Sequence, residues 1–300
     1  MGRKVVAGED LSACLLIFAE ACFILDGMTT KLIVNADDFG FSAGVTDGII
    51  HAHEAGILTS TTLMTTMPDA RRAIELARRT PTLGVGIHLC LTQGTPLGGF
   101  EGPLFTHTGE FPRRVWRLLL RIGRDQAVLR HIRREWEAQI NSALSQGLYL
   151  SHLDSHKHIH HWPPLADIAI DLARQFGIRN IRCARERPIA GIPRPSAGYR
   201  VLSRLADKLA VKIQDAGLQT SDWFFGLAST GGFSAEIWRT LLSNLPSGIG
   251  EVMVHPGRPD GLSSSQTRLL AERQLELDAL CDPGVKTLAH NADISLIHYG

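Results

Sequence analysis

The sequence predicts an α/β protein in which parallel strands form one sheet and helices pack outside it. The chain opens with alternating strand and helix patterns, β-α-β-α-β, over residues 31–89, and such alternation is typical of a parallel sheet. The 300 residues suit one large domain. No internal repeat, low-complexity tail or clear linker divides them. We therefore predict that residues 29–300 form a single domain, with a helical insertion at about 93–147.

The individual elements follow from the spacing of the apolar residues. Short apolar runs bounded by turn residues predict strands, and apolar positions three or four residues apart predict helices. Gly56 and Gly177 come just after two of these helices, where glycine commonly ends a helix. The predicted strands are residues 31–35, 58–66, 83–89, 148–154, 178–183 and 250–255. The predicted helices are residues 42–55, 69–79, 113–146, 163–176, 201–216, 235–245 and 269–280.

Charge and cysteine content exclude several classes of protein. Lys and Arg number 31 against 30 Asp and Glu, and a formal charge of +1 gives no electrostatic footprint for nucleic acid. The five cysteines form no C-x-x-C pair, which argues against a disulfide framework and a cysteine zinc site. We therefore predict a globular cytoplasmic protein with reduced thiols and no nucleic-acid partner.

Residues 1–28 are interpreted as an N-terminal extension. Basic residues precede an apolar run, which loosely resembles a signal peptide. However, Glu9, Asp10 and Glu20 lie in or beside the run, and it is too short to span a bilayer. Met28 is an alternative start, because a strand pattern begins soon after it. A helix that makes peripheral membrane contact is the other interpretation.

Aspartate and histidine recur at the carboxyl ends of the predicted strands. Taken singly, each has a simpler explanation, as a turn residue or as a histidine in the core. The carboxyl ends of parallel strands meet at one edge, however, and in barrels that face carries the active site. We therefore expect one site to contain Asp37, Asp38, His88, Asp154, His156 and His255.

These residue types predict one bound divalent metal ion. Imidazole and carboxylate ligands together suit such ions, and catalytic sites commonly use about three protein ligands and a water. The ion lowers the pKa of that water toward ~7. Adjacent side chains point apart, so we expect Asp37 and Asp38 to divide the roles of metal ligand and base.

The most distinctive segment is H-L-D-S-H-K-H-I-H-H at residues 152–161. We expect the strand to end near Asp154 and the following histidines to form a loop over the site. Histidines that do not bind the metal can donate protons or orient the ligands. An adventitious surface metal-binding tract is the alternative.

Five motifs together closely resemble the YdjC-like carbohydrate deacetylase family, which includes chitooligosaccharide deacetylases. They follow the family's order from about residue 31 to residue 273, which is nearly the whole chain. They are V-N-A-D-D-F-G at residues 34–40, G-I-L-T-S-T-T at 56–62, G-I-H at 86–88, H-L-D-S-H at 152–156 and V-H-P-G at 254–257. The resemblance implies a distorted TIM-like (β/α) barrel, as in other sugar deacetylases.

The resemblance also implies a role for each site residue. Asp38, His88 and His156 match the family's metal ligands, and Asp37 matches the base that activates the attacking water. His255 matches a histidine that protonates the leaving amine. Four further residues are expected to contact the substrate or to support the ligands: Asp154, His158, His160 and Arg273.

Substrate, metal and assembly are specified less closely. Family members have been described with magnesium, and the ligand set also accepts zinc. The chain is similar to the branch associated with hopanoid biosynthesis, which implies an acetylated glycolipid, an N-acetylglucosaminyl hopanoid, in place of a free acetylated sugar. A homo-oligomer is expected. A phosphoesterase, a metal-dependent sugar isomerase and a non-catalytic metal-binding protein stay open as alternatives.

Overall fold

A computed structural model describes residues 30–98, 125–192, 196–290 and 293–300, together with residues 111, 119 and 122. The predicted extension at residues 1–28 lies outside the described residues. So does most of the segment 99–124, on which the loop and the first part of the predicted helix 113–146 fall.

The described strands form one parallel sheet, which curls into a TIM-like barrel and confirms the predicted fold class. They are β1 (Thr30–Phe39), β2 (Ser60–Leu63), β3 (Gly84–Leu89), β4 (His152–Ser155), β5 (Asn180–Ile181), β6 (Trp223–Phe225), β7 (Ile249–Val254) and β8 (Ile294–Leu296). The order is β5-β4-β3-β2-β1-β7-β6, and β8 also pairs with β1. Parallel bridges from Asn180 to Gln219 and from Glu186 to Phe224 connect the β5 side with the β6 side.

Helices surround this sheet, and several begin at a capping side chain. Asp125 accepts hydrogen bonds from the first backbone N–H groups of its helix, as Ser234 and Asp282 do elsewhere. None of the described helices is long and apolar enough to cross a membrane. The helices are α1 (Ala43–Ala55), α2 (Ala70–Arg79), α3 (Gln126–Leu144), α4 (Pro163–Gln175), α5 (Ala197–Asp215), α6 (Ala235–Leu242), α7 (Ala271–Leu280) and α8 (Pro283–Ala289); a 3₁₀ segment spans His156–His161.

Every predicted strand overlaps an observed one, but β6 and β8 were not predicted. The run Trp223–Phe225 is only three residues long. Its three aromatic side chains are buried, and the strand pairs with β7 over its whole length. A strand this short shows too little alternation of apolar and polar residues to be distinguished from a buried loop in the sequence.

The structure corrects the end of the first strand. Asp37 and Asp38 were predicted to follow the strand, whereas β1 continues through both of them to Phe39. The pairing of β1 with β2 shifts register between Ala36 and Phe39, and Asp38 has a φ of 71°. This bulge-like irregularity redirects the two adjacent carboxylates, as bulges near active sites commonly do.

Candidate active site

A cavity of about 470 Å³ opens at the carboxyl ends of the strands. The strand-end prediction placed six residues in one site. Four of them, Asp37, Asp38, His156 and His255, line the cavity, whereas His88 and Asp154 are buried and do not line it. The lining also includes Phe41, Gln93, Lys157, His158, Tyr199, Leu202, Leu227, Thr230, Met253, Gln266, Thr267, Arg268 and Leu269.

Asp37 is held by a buried arginine. Both Nη atoms of Arg182 donate to its carboxylate, at 2.7 Å to Oδ1 and 2.9 Å to Oδ2. The side chain of Asn35 donates to Oδ1 at 3.1 Å. Burial alone would raise the pKa of Asp37, but Arg182 and His88 hold it well below its usual range. Asp37 is therefore ionised and fixed in direction at neutral pH.

Arg182 is the main residue of the site that the sequence did not indicate. It is fully buried, and besides Asp37 it contacts Asp154 Oδ2 at 2.5 Å and Glu251 Oε1 at 2.7 Å. A buried charge needs charged partners, so a lone Arg or Glu inside an apolar strand pattern is a signal for such a network. Arg182 in N-I-R-C and Glu251 in I-G-E-V-M-V both carried that signal.

His88 lies at the centre of the carboxylates. Its Nδ1 is 2.6 Å from Asp154 Oδ1, while its Nε2 is 3.8 Å from Asp38 Oδ1 and 4.0 Å from Asp37 Oδ2. Burial lowers the pKa of His88, but Asp154 and Asp37 outweigh it and raise the pKa to about 9. Carboxylates that attract a proton to Nε2 also attract a metal cation, which would displace that proton.

Asp38 offers an oxygen that has no protein partner. Its Oδ2 accepts a 2.6 Å hydrogen bond from Arg273, but its buried Oδ1 has no hydrogen-bond partner. Burial would raise the pKa of Asp38, yet Arg273 and His156 hold it well below its usual range. A buried carboxylate oxygen without a donor is costly unless it binds something else.

Ligand atoms of Asp37, His88 and Asp154 all lie within 4.8 Å of one another. This grouping suits a divalent ion but differs from the predicted ligands Asp38, His88 and His156. The His88–Asp154 contact has the length of a hydrogen bond, and the second oxygen of Asp154 is bound by Arg182. Geometry therefore favours Asp154 as the residue that orients His88, the common arrangement behind a metal-binding histidine.

His156 is presented by the start of the 3₁₀ segment. Its Nδ1 is 2.7 Å from the hydroxyl of Thr92, which leaves Nε2 as the nitrogen for a ligand. The ring centroids of His156 and His88 are 5.8 Å apart. Burial lowers the pKa of His156 to about 3, so the ring is neutral at pH 7 and able to bind a metal.

The histidines that follow His156 divide into two groups. His158 lines the cavity, and its buried Nδ1 has no hydrogen-bond partner. Lys157 and His158 both have left-handed backbone angles, φ 57° and 54°, a strained conformation that often marks a functional loop.

His160 and His161 have structural contacts instead. His160 bridges the hydroxyl of Ser155 at 2.6 Å and the carbonyl of Arg182 at 2.9 Å. Nε2 of His161 accepts from the backbone N–H of Ala184 at 2.9 Å. Neither of these two histidines lines the cavity, so the structure does not bring His160 to the substrate side.

His255 faces the cavity from the end of β7. Its buried Nδ1 has no hydrogen-bond partner, and its backbone N–H donates to Glu276 at 2.5 Å. Burial lowers the pKa of His255, while Asp37 and Asp38 act in the opposite direction. Helix α7 thus supports two site residues, because it carries both Glu276 and the Arg273 that binds Asp38.

One wall of the cavity is apolar. Tyr199 and Leu202, near the beginning of α5, pack against a buried cluster that includes Leu227 and Met253. Leu269 adds a further apolar side chain. The cavity therefore combines ionisable groups with a surface suited to the apolar face of a ligand.

Comparisons with known proteins show which family this chain resembles. The family model for YdjC-like protein matches residues 31–291. A carbohydrate deacetylase of Halalkalibacterium halodurans is 34% identical over 251 residues, covering 83% of this chain and 94% of that protein. A carbohydrate deacetylase of Geobacillus stearothermophilus is 34% identical over 275 residues, covering 91% of this chain and 98% of that protein.

A solved structure is similar over the same extent. A crystal structure from Enterococcus faecalis, named as a candidate cellobiose-phosphate cleavage protein, has a TM-score of 0.72 and 29% identity to this chain. The match covers 90% of this chain and 98% of that one. Both the family match and the full-length relatives confirm the resemblance found in the motifs, and the chain belongs to the YdjC-like family.

Proposed function

We propose that this protein is a metal-dependent hydrolase that removes the N-acetyl group from a carbohydrate containing N-acetylglucosamine. Relatives that cover most of the chain are named carbohydrate deacetylases. The observation that carries the proposal is the pairing of two adjacent aspartates with different environments. Asp37 is fixed by Arg182 on both oxygens, whereas Asp38 keeps a buried oxygen without a partner beside His88.

The donor set fits a divalent ion, which Asp38, His88 and His156 would hold. Among the described residues, the ion pairs of His88, Arg182 and Arg273 join two guanidinium groups to four carboxylates, those of Asp37, Asp38, Asp154 and Glu251. With these groups ionised and His88 neutral, the carboxylates outnumber the guanidinium groups, and one divalent cation balances the excess negative charge. Bound there, the ion supplies Lewis acidity toward the acetamide carbonyl oxygen. Magnesium and zinc both suit these ligands.

Asp37 acts as the base in this proposal. Its carboxylate lines the cavity next to Asp38 and is ionised at neutral pH, so it can accept a proton from the attacking water. The two donors from Arg182 fix the direction of its carboxylate. The folded protein therefore holds the base in its aligned direction before substrate binds.

His255 serves the leaving group. It faces the cavity, and its Nδ1 has no hydrogen-bond partner. Because burial lowers its pKa, it enters the reaction neutral at pH 7. Asp37 and Asp38 stabilise the charged form once a proton arrives, and His255 can then donate that proton to the departing amine.

A glycolipid substrate, such as an N-acetylglucosaminyl hopanoid, is the finer form of the proposal. The apolar wall formed by Tyr199, Leu202, Leu227 and Leu269 supports it, since an apolar aglycone gains by leaving water. Peripheral membrane contact through residues 1–28 would bring such a lipid within reach. That contact, the cytoplasmic location and the homo-oligomer stay predictions.

We also propose that residues 29–300 act as one deacetylase domain with an insertion at about 93–147. The larger hydrophobic cluster supports this organisation, because it joins Leu63 and Leu89 before the insertion with Leu153 and Val254 after it.

The deciding experiment is acetate release from a panel of substrates. The panel contains chitobiose, longer chitooligosaccharides, an N-acetylglucosaminyl hopanoid and a phosphate monoester, with Asp37→Asn and a chelator as controls. Acetate released from a panel member, and lost with Asp37→Asn or chelator, supports deacetylation, and the preferred member identifies the substrate class. Metal bound without acetate release would reject the proposal, and phosphate release would make the protein a phosphoesterase.

A further inference from the structure

Tyr299 lies at the end of the barrel opposite the cavity. Its backbone N–H donates to the hydroxyl of Ser60, the first residue of β2, at 3.2 Å. Its ring stacks on His152, the first residue of β4, with centroids 4.1 Å apart. The amino ends of the strands therefore surround Tyr299, whereas the candidate base Asp37 faces the carboxyl ends.

A chain of buried hydrogen bonds connects these two ends. The Tyr299 hydroxyl donates to Glu251 Oε2 at 2.7 Å, and Arg182 Nε donates to Glu251 Oε1 at 2.7 Å. The same guanidinium donates from both Nη atoms to Asp37. Each member is almost completely shielded from water, so these polar groups have no solvent to replace a lost partner.

We propose that Tyr299 is a positioning residue for the base: through Glu251 and Arg182 it fixes the direction of the Asp37 carboxylate from the far end of the barrel. The inference rests on the proposed role of Asp37 in deacetylation.

The Tyr299 hydroxyl can affect Asp37 because three carboxylates compete for Arg182. Asp37, Asp154 and Glu251 all bind the guanidinium, so its orientation depends on the balance among three carboxylates. Among the described residues, Nε of Arg182 donates to Glu251, and this hydrogen bond fixes the orientation of the guanidinium plane. If Glu251 loses its charge, Arg182 is free to turn toward Asp154 and to align less well with Asp37.

The Tyr299 hydroxyl favours the charged form of Glu251. Burial raises the pKa of Glu251, and Arg182 and the Tyr299 hydroxyl oppose that effect. Asp154 raises the pKa of Glu251 further, and His152, which stacks on Tyr299, is kept neutral by burial with a pKa of about 3. Removing the hydroxyl therefore shifts Glu251 toward its neutral form, most strongly at low pH.

The test compares Tyr299→Phe with Tyr149→Phe. Tyr149 is 74% exposed at the same end of the barrel, so its hydroxyl serves as the matched control. For Tyr299→Phe we expect kcat for acetate release to fall about tenfold, as for one buried charge-assisted hydrogen bond. KM and metal affinity should stay at wild-type values, the loss should be larger at pH 6 than at pH 8, and Tyr149→Phe should change nothing.

Glu251→Gln tests the middle of this chain of hydrogen bonds. We expect it to lower kcat similarly, and Tyr299→Phe combined with Glu251→Gln should cost no more than Glu251→Gln alone, because both act through one path. A wild-type kcat for folded Tyr299→Phe, a loss confined to KM, or additive losses in the double variant would overturn the inference.

A crystal structure of Tyr299→Phe separates this inference from the proposed function. Loss of the two-donor contact between Arg182 and Asp37 would support the positioning role, even if the wild type releases no acetate. The absence of acetate release would reject only the deacetylase proposal. An unchanged Arg182–Asp37 contact would reject the positioning role whatever the activity. Should Tyr299→Phe fail to fold, the same contact is measured in Glu251→Gln.

Discussion

Asp154 contacts the Nδ1 side of the His88 ring, at 2.6 Å, while Asp38 faces its Nε2 at 3.8 Å. A carboxylate on each side of one imidazole gives the two aspartates different roles. The one at hydrogen-bond distance orients the ring, and the one with a free oxygen is available to an ion. This relationship distinguishes the ligand set Asp38, His88 and His156 from the alternative grouping of Asp37, His88 and Asp154.

Metal affinity should separate these two sets. Asp154→Asn removes the carboxylate behind His88, and we expect it to weaken zinc or magnesium binding about 10- to 100-fold. Asp38→Asn changes a direct ligand and should weaken binding more. Isothermal titration of the metal-free variants measures both, with Asp215→Asn at the exposed end of α5 as control. The reverse order of effects would make Asp154 a direct ligand.

Asp37→Asn should remove the base without removing the ion. The amide cannot take up a proton at neutral pH, so we expect kcat to fall about 10²- to 10⁴-fold. Metal affinity should change little, since Asp37 is bound by Arg182 rather than left free for the ion. Steady-state acetate release and metal titration on the same preparation check this. Equal loss of metal binding and activity would count against the separation of roles.

Arg182→Met should destabilise the fold strongly. It leaves Asp37, Asp154 and Glu251 buried without their shared cation, and breaking one partner from a buried ion pair costs about 3–5 kcal/mol. Urea unfolding measures the loss. The control is Arg133→Met, because Arg133 pairs with Asp171 on the surface, where such pairs contribute about 0–1 kcal/mol.

His160 should make stability depend on pH. Burial lowers its pKa from 6.5 to about 4, so the unfolded chain binds more protons between these pH values. The free energy of unfolding must therefore fall as the pH drops from about 6.5 to about 4, by at most ~1.4 kcal/mol per pH unit for one histidine. His160→Gln lacks this contribution. The difference between its urea midpoint and that of the wild type should therefore shrink as the pH falls. Parallel curves for the two proteins would contradict this role.

The sequence predicted the sheet and the strand-end residues because their signals are local. Apolar runs, capping residues and the recurrence of Asp and His after strands can be read without knowing what is near in space. Asp37, Asp38, His156 and His255 accordingly line one cavity. The short strand β6 was missed, since three residues are too few to show a period.

The partners of the supporting residues could not be predicted in the same way. Arg182 binds Asp37 across 145 positions of the chain, and Tyr299 reaches Glu251 across 48. Such pairs depend on which strands become neighbours, and no local pattern encodes that. The histidine run could not be divided from the sequence either. His160 was expected to contact the substrate or to support the ligands, and its position turns it toward Ser155 and the backbone of Arg182.

The left-handed backbone of Asp38 also limits what evolution can place there. With a φ of 71°, the position favours Gly, Asn and Asp over other residues. Gly and Asn are each a single nucleotide substitution from any Asp codon, and glycine would delete the free carboxylate oxygen while relaxing the strand. The mutations that this bend accepts most easily are thus those that weaken or silence the proposed metal site. A barrel that has lost its chemistry could therefore arise from this chain by one substitution, with its fold and its cavity kept for binding.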